Sequence, residues 1–283
     1  MFYHALRFFT VFILSATLSN ALLLGQESTE NDESGSGSRI EQVQDAQQED
    51  AARIAETHET IEIRGWAFML NRQLKKDEPE LVAALLELMD VQLRRVEDVV
   101  PAKALQHLKT VRIWANPAYE NVKPTAEYHP ERDYLVRKER LPDMVHGVEL
   151  TNIERFEFEC TRMPYLMLHE FAHAYHDQVL GFREANIRAA FDAAEASGAS
   201  GTYDEVDRFN GRIIVKDEAY AMSNHKEYFA EASEAYFGRN DFFPFTLRDL
   251  RKHDPEMVKV IEEAWGVDKQ QDSLPKRKKT KQP

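Results

Sequence analysis

Two histidines four residues apart, His169 and His173, could bind one metal ion. Their apolar neighbours predict a buried helix, and side chains four apart on a helix lie on one face, about one turn apart. Glu170 directly follows the first histidine, so its carboxylate can lie beside the metal and act on a water molecule. The pattern specifies only three positions, however, and two histidines hydrogen-bonded in a core would produce it too.

A catalytic zinc site usually has three protein ligands and one water, so a third ligand must come from elsewhere. His176 lies only three residues after His173, which gives poor convergence with His169, and we expect it beside the site or in a structural role. Glu227 and Glu231 lie four apart on a second predicted helix and can point into one site. One would bind zinc and the other would accept a hydrogen bond from a ligand histidine. Alternatively, Glu227 caps the helix and Glu231 lies on a solvated face.

These segments resemble zinc metallopeptidases of the anthrax lethal factor type, which include the proline–proline endopeptidases. The resemblance rests on two motifs in matching order and on a tyrosine, Tyr220, seven residues before the second motif. The motifs are His169-Glu170-Phe171-Ala172-His173 and Glu227-Tyr228-Phe229-Ala230-Glu231-Ala232. The similarity covers about residues 166–237.

The resemblance implies roles for residues of both motifs. The implied Zn²⁺ ligands are His169, His173 and Glu227. Glu170 would be the general base, and Tyr220 would stabilise the oxyanion. Glu231 would contact a ligand histidine from outside the coordination sphere. The implied fold is a zincin-like metallopeptidase domain.

The elements around these motifs predict an α+β fold, in which a small mixed sheet packs on helices. Residues 60–64 alternate polar and apolar side chains as a half-buried strand does, and residues 66–70 continue the strand. Further strands are predicted at 110–115 and 147–153, and the second of these could accept an extended peptide at a sheet edge. Asp77-Glu78-Pro79 should begin a helix.

A loop, a hairpin and a capped helix are predicted around the two motifs. Residues 121–142 indicate a loop and an edge strand. His129 in this range and His146 after it could contact metal or substrate, but ordinary surface or hydrogen-bonded histidines are the more frequent case. Two β-compatible arms around Asn210-Gly211, residues 203–209 and 212–215, favour a hairpin. Asn224 should cap a helix that ends near Phe237.

The N-terminal residues of the chain predict export. Residues 1–25 have a positive residue, an apolar run and a small-residue cleavage site, which is typical of a signal peptide; an uncleaved membrane anchor is the alternative. Residues 26–56 are acidic and polar and predict a flexible tether, residues 57–268 the peptidase domain, and residues 269–283 a basic disordered tail. The single cysteine, Cys160, allows no internal disulfide and should be a buried small residue.

Charge and motifs together predict the class of function. The net charge of −13 argues against nucleic acid as a partner. We therefore expect a monomeric endopeptidase, secreted or in the cell envelope, that binds Zn²⁺ and hydrolyses peptide or protein substrates. A secreted zinc-binding or interaction protein without turnover, built on a peptidase scaffold, is the second hypothesis.

Overall fold

The computed structural model describes residues 52–123, 125–197 and 205–267, all of which belong to one compact unit. The predicted signal peptide, most of the tether and the basic tail lie outside the described residues. Residues 52–57 are helical and lead into the first strand, so regular structure begins within the segment predicted as a tether. No helix in the described ranges is long and apolar enough to cross a membrane.

Five strands form a mixed sheet with the order β1-β2-β3-β5-β4. The strands are β1 His58–Ile63, β2 Trp66–Asn71, β3 Ile113–Ala115, β4 Ala126–Tyr128 and β5 Val148–Leu150. The β2–β3 and β3–β5 pairs are parallel, whereas β1–β2 and β4–β5 are antiparallel. A separate two-stranded sheet contains β6 Glu205–Phe209 and β7 Ile214–Glu218. The α+β fold class is therefore confirmed.

The described ranges contain ten further helices. They are α1 Arg72–Asp77, α2 Pro79–Val99, α3 Ala102–Leu108, α4 Arg132–Arg137, α5 Phe156–Arg162, α6 Leu166–Tyr175, α7 Ala185–Ala196, α8 His225–Phe237, α9 Leu247–His253 and α10 Pro255–Trp265. Pro79 occupies the first turn of α2, as predicted, where its missing N–H is not needed. Single 3₁₀ turns occur at Pro142–Met144, Ile153–Arg155 and Tyr220–Ser223, and a π-helical turn, His176–Leu180, follows α6.

The two faces of the five-stranded sheet bury different side chains. Phe68, Ile113 and Val148 point into the main core with α2 and α6. The opposite face forms a smaller apolar cluster that includes Met69 and Trp114. This alternation follows from the period of two along a strand, and it places α6 directly beneath the sheet.

An aromatic stack fixes α6 and α8 relative to each other. The ring of Trp265 on α10 stacks on Tyr175 of α6 at 4.4 Å and on Phe229 of α8 at 5.9 Å, measured between ring centroids. Its indole N–H donates to the hydroxyl of Ser233 on α8. Because this stack touches both helices, it holds in register the two segments that carry the candidate metal ligands.

Three predictions about strands are wrong in detail. Residues 66–70 do not continue the first strand; Arg64 and Gly65 both have positive φ, which turns the chain back into an antiparallel hairpin. In the second hairpin Phe209 pairs with Ile214, so the loop has four residues instead of a two-residue turn at Asn210-Gly211. The strand predicted at 147–153 is an interior strand, β5, and β4 forms the edge.

Candidate metal and catalytic site

Helices α6 and α8 pack together and bring His169, His173 and Glu227 to one point. Glu227 Oε2 lies 3.1 Å from His169 Nε2 and 3.2 Å from His173 Nε2. The two Nε2 atoms are 3.1 Å apart. Asn224 positions this end of α8, because its side chain accepts hydrogen bonds from the backbone N–H groups of Lys226 and Glu227.

This triangle of donor atoms fits a zinc ion. Zinc binds histidine nitrogen and carboxylate oxygen at about 2.0–2.2 Å, so tetrahedral ligand atoms lie about 3.3–3.6 Å apart. The three measured separations are 3.1, 3.1 and 3.2 Å, so a small adjustment would admit the ion. All three side chains are at least partly buried, and two imidazoles with one carboxylate form a donor set that zinc, like other transition metals, accepts.

The orientation of His169 depends on a residue that the motifs did not indicate. Its Nδ1 lies 2.8 Å from Glu234 Oε1, and 3.8 Å from Glu231 Oε1. Glu231 instead accepts a hydrogen bond from the side chain of Asn240 at 2.7 Å. Glu234 is therefore the carboxylate closer to His169 Nδ1, and it makes the contact that was predicted for Glu231. A signal was present, since Glu227, Glu231 and Glu234 follow the i, i+4, i+7 spacing of one helix face.

These contacts shift the pKa values of the carboxylates in opposite directions. Burial alone would raise the pKa of Glu227, but hydrogen bonds from His169 and His173 outweigh it and lower that pKa well below the usual range. Burial raises the pKa of Glu234 to about 7, against the hydrogen bond from His169. For His169, burial is outweighed by its bonds to Glu227 and Glu234, and its pKa is raised. The cluster thus favours a negative charge on Glu227, as a metal ligand requires.

Glu170 lies beside the triangle and is fixed by the edge strand. Its Oε2 accepts a hydrogen bond of 2.9 Å from the backbone N–H of Tyr128 in β4. The residue is only 7% exposed, and burial raises its pKa, although the nearby His169 and His173 oppose that shift. A buried carboxyl group with a raised pKa beside a candidate metal site is suited to the role of a general base.

Tyr220 lies near the triangle, in the 3₁₀ turn before α8. Its ring centroid is 6.5 Å from that of His169, and its side chain borders three cavities of the cleft. Burial raises the pKa of its hydroxyl to about 12, with a further contribution from Glu227. The hydroxyl therefore stays protonated at neutral pH and can donate a hydrogen bond.

The other histidines singled out by the sequence lie away from this triangle. His176 is fully buried against Phe182 and Phe229, and burial lowers its pKa to about 3. His146 is an exposed side chain 3.9 Å from Asp177. His176 therefore has a structural environment, which is one of the two roles expected for it.

A second group of possible ligands lies on the far face of the sheet. Glu127, His129 and Glu149 are close enough together to hold an ion. Arg140 already supplies a cation there, since its Nη1 lies 2.6 Å from Glu127 Oε2 and 3.0 Å from Glu149 Oε2. His129 Nε2 also pairs with Glu149, at 2.8 Å. This network therefore supports the edge strand without needing a metal.

A cleft lies between β4 and the 3₁₀ turn at Tyr220, and the triangle borders it. On one side of Glu170 is a cavity of about 310 Å³, bordered by Tyr128, Pro130 and Phe182. On the other side is a cavity of about 600 Å³, bordered by Thr125, Leu166 and Arg208 among others. His169 and Glu170 border both cavities, so a bound chain that spans the cleft would cross the triangle.

Comparison with known proteins adds no assignment: no protein family, no curated protein and no solved structure matches this chain. What the site does must therefore be inferred from its geometry.

Proposed function

We propose that this protein is a secreted zinc-dependent endopeptidase with a zincin-like catalytic domain. The observation that carries the proposal is the triangle of His169, His173 and Glu227, whose donor atoms lie 3.1–3.2 Å apart on two separate helices. The position of Glu170 directly beside it supports hydrolysis over metal storage. The resemblance of both motifs to the lethal factor type of peptidase agrees with this geometry. Secretion is a prediction from residues 1–25.

The chain's own groups have distinct tasks in this reaction. Zinc, when bound, would supply Lewis acidity that lowers the pKa of water and polarises the peptide carbonyl. The Glu170 carboxylate takes the proton from the attacking water and later gives it to the leaving amine nitrogen. The Tyr220 hydroxyl donates a hydrogen bond to the oxyanion as the carbonyl carbon becomes tetrahedral. Glu234 holds the His169 ring with Nε2 directed at the metal position.

The edge strand β4 can hold the substrate. Thr125 and His129 use their backbone groups to bond to β5, through Thr151 N–H to Thr125 O and His129 N–H to Gly147 O. In an antiparallel ladder the bonded residues alternate, so the N–H and C=O of Ala126 point away from β5 toward the cleft. An extended peptide could add to this edge as a further strand, which supports endopeptidase activity on unfolded segments.

The deciding experiment compares Glu170→Gln with the wild-type protein on a peptide library. We expect the variant to keep bound zinc, measured by elemental analysis, while cleavage falls by about 10²–10⁴-fold, the usual contribution of a general base. Chelation of the wild-type protein should also abolish cleavage, and added zinc should restore it. Cleavage by Glu170→Gln at the wild-type rate would refute the role of Glu170.

The same assay tests the second hypothesis. A wild-type protein that holds zinc with the expected ligands and yet cleaves nothing in the library would be a zinc-binding protein without turnover. A wild-type protein that binds no zinc would contradict both hypotheses.

A further inference from the structure

The direction of a bound peptide follows from the edge strand, if the proposed peptidase function holds. Antiparallel strand pairs are two to three times as common as parallel ones. From Ala126 to Tyr128, β4 runs from the 600 Å³ cavity toward the 310 Å³ cavity. A peptide antiparallel to β4 runs the other way. The residues after the scissile bond would therefore lie in the 600 Å³ cavity.

Arg208 is a fixed cation in that cavity. Its Nη1 lies 2.6 Å from Asp217 Oδ2, and its Nε lies 3.3 Å from Asp241 Oδ2. The guanidinium also stacks on Phe242, at 4.4 Å from the ring centroid. β6 holds Arg208 in place, because its neighbours Phe209 and Asp207 form backbone hydrogen bonds with Asp241 and Phe243. Little side-chain entropy would thus be lost on binding a ligand.

The cavity is bordered by cations and by acids, among them Glu159, and the cations are the more exposed of the two. The Arg208 side chain is 28% exposed and the Asp241 side chain 0%. Arg162, also in contact with Asp241, keeps 17% of its side chain exposed, and Glu231 keeps 3%. Lys123, on the segment before β4, is exposed at the border of the cavity. The acids of this lining are thus less exposed than its cations, whereas Asp217, which pairs with Arg208 Nη1, is 40% exposed but does not border this cavity.

One nitrogen of Arg208 is available for a ligand. Nε and Nη1 have the partners named above, whereas Nη2 has no hydrogen-bond partner within the described parts of the chain. A carboxylate is a group that a guanidinium edge binds strongly, through charge-assisted hydrogen bonds.

We propose that the 600 Å³ cavity is a subsite for a carboxylate on the C-terminal side of the scissile bond, recognised by Arg208 with Lys123 at the border. The carboxylate belongs to an aspartate or glutamate side chain of the substrate, or to the C-terminus of a short one. Arg208 is on this view a specificity-determining residue. Glu170 and the triangle carry out the hydrolysis in the same way for every substrate. The proposal rests on the proposed peptidase function for its direction, but not for the existence of the subsite.

The test uses matched peptides. A good substrate found in the library is resynthesised, C-terminally amidated, with Glu, Gln or Lys at each of the first two positions after the cleaved bond. We expect kcat/KM to be at least about tenfold higher for Glu than for Lys at one position, as for a charge-assisted hydrogen bond. Arg208→Gln should reduce this ratio to near one, mainly because kcat/KM for the Glu peptide falls. Arg208→Lys should keep part of the preference for Glu. A free C-terminus on the Gln peptide tests the other source of carboxylate.

The matched control is Arg212→Gln, which removes an exposed arginine from the loop of the same hairpin, away from the cavity lining. It should leave the Glu-to-Lys ratio unchanged. Equal cleavage of the Glu, Gln and Lys peptides by the wild type, with no gain from a free C-terminus, would overturn the proposal. So would a carboxylate preference that persists in Arg208→Gln with normal zinc content and circular dichroism.

A binding arm separates failure of the subsite from failure of the peptidase function. Fluorescent peptide pools that are acidic, neutral or basic are titrated against Glu170→Gln and against Glu170→Gln combined with Arg208→Gln. If nothing is cleaved but the acidic pool binds at least about tenfold more tightly in an Arg208-dependent way, the subsite stands and the peptidase function falls. If the pools bind alike, the subsite proposal is wrong.

Discussion

The imidazole of His169 lies between two carboxylates of one helix. Glu227 lies 3.1 Å from Nε2 and Glu234 lies 2.8 Å from Nδ1. Because Glu234 accepts the Nδ1 proton, the lone pair of Nε2 is directed at the point where Glu227 and His173 converge. The partner on Nδ1 therefore sets both the tautomer and the angle of the ring. A metal site needs both to be fixed.

We predict that Glu234→Gln weakens zinc binding by about 10–100-fold, the usual effect of losing the outer partner of a ligand histidine. The amide is nearly isosteric with the carboxylate but a weaker acceptor, so the fold should persist. Competition with a zinc-binding dye measures the affinity directly, without relying on activity. The matched control is Glu231→Gln, in which we expect a much smaller change because Glu231 Oε1 is 3.8 Å from His169 Nδ1. Equal losses in both variants would contradict the assignment.

For single residues, the sequence predicts site residues whose spacing along one helix is enough to define them. It leaves open the contacts that depend on how one helix is rotated against another. His169, Glu170 and His173 follow from local spacing alone. Glu231 and Glu234 share a helix face, and only the packing of α8 on α6 decides which one reaches Nδ1. Arg208 could not be found at all, because its place depends on how a hairpin docks against Phe242.

Edge strand β4 illustrates the same limit for elements. It has only three residues, and its burial pattern has no strong alternation. Its neighbours Thr125 and His129 are fixed by bonds to β5, and its Glu127 is fixed by Arg140. The sequence indicates an edge strand within residues 121–142, where β4 lies, but partners distant in sequence define this strand, so local propensity could not give its bounds. The long helices α2 and α8 were predictable because their caps and apolar spacing are local.

We predict that Ala126→Pro impairs cleavage without unfolding the protein. Proline removes an N–H that points to the cleft and takes no part in the β4–β5 ladder, and edge strands tolerate proline at such positions. Losing one substrate hydrogen bond should lower kcat/KM by about tenfold. Zinc content and melting temperature should stay near the wild-type values.

Two variants are the controls for Ala126→Pro. Ala126→Ser keeps the N–H at the same site and should cleave normally. Glu127→Pro removes an N–H on the side of β5 and should lower the melting temperature. Wild-type cleavage by Ala126→Pro would show that the substrate does not pair with β4.

Across the whole molecule, the proposed metal would link segments that are distant in sequence. His169 and Glu227 are 58 residues apart, and the chain between them forms α7, the β6–β7 hairpin and the 3₁₀ turn of Tyr220. Aromatic stacking by Trp265 already joins α6 and α8, so the fold does not depend on the ion alone. An ion that binds only the folded state must nevertheless stabilise it by mass action.

We therefore predict that zinc raises the free energy of unfolding by about 2.7 kcal/mol when its free concentration is one hundred times the dissociation constant. For a domain of this size that is a rise in melting temperature of about 5–10 °C over the chelated protein. The shift should be lost in Glu227→Gln, which removes a ligand, and retained in Glu170→Gln, which makes the same chemical change at a residue that is not a ligand. Differential scanning calorimetry with zinc or with a chelator measures it. A shift of equal size in both variants would mean that Glu227 does not bind the ion, and no shift in the wild type would mean that the triangle does not hold zinc.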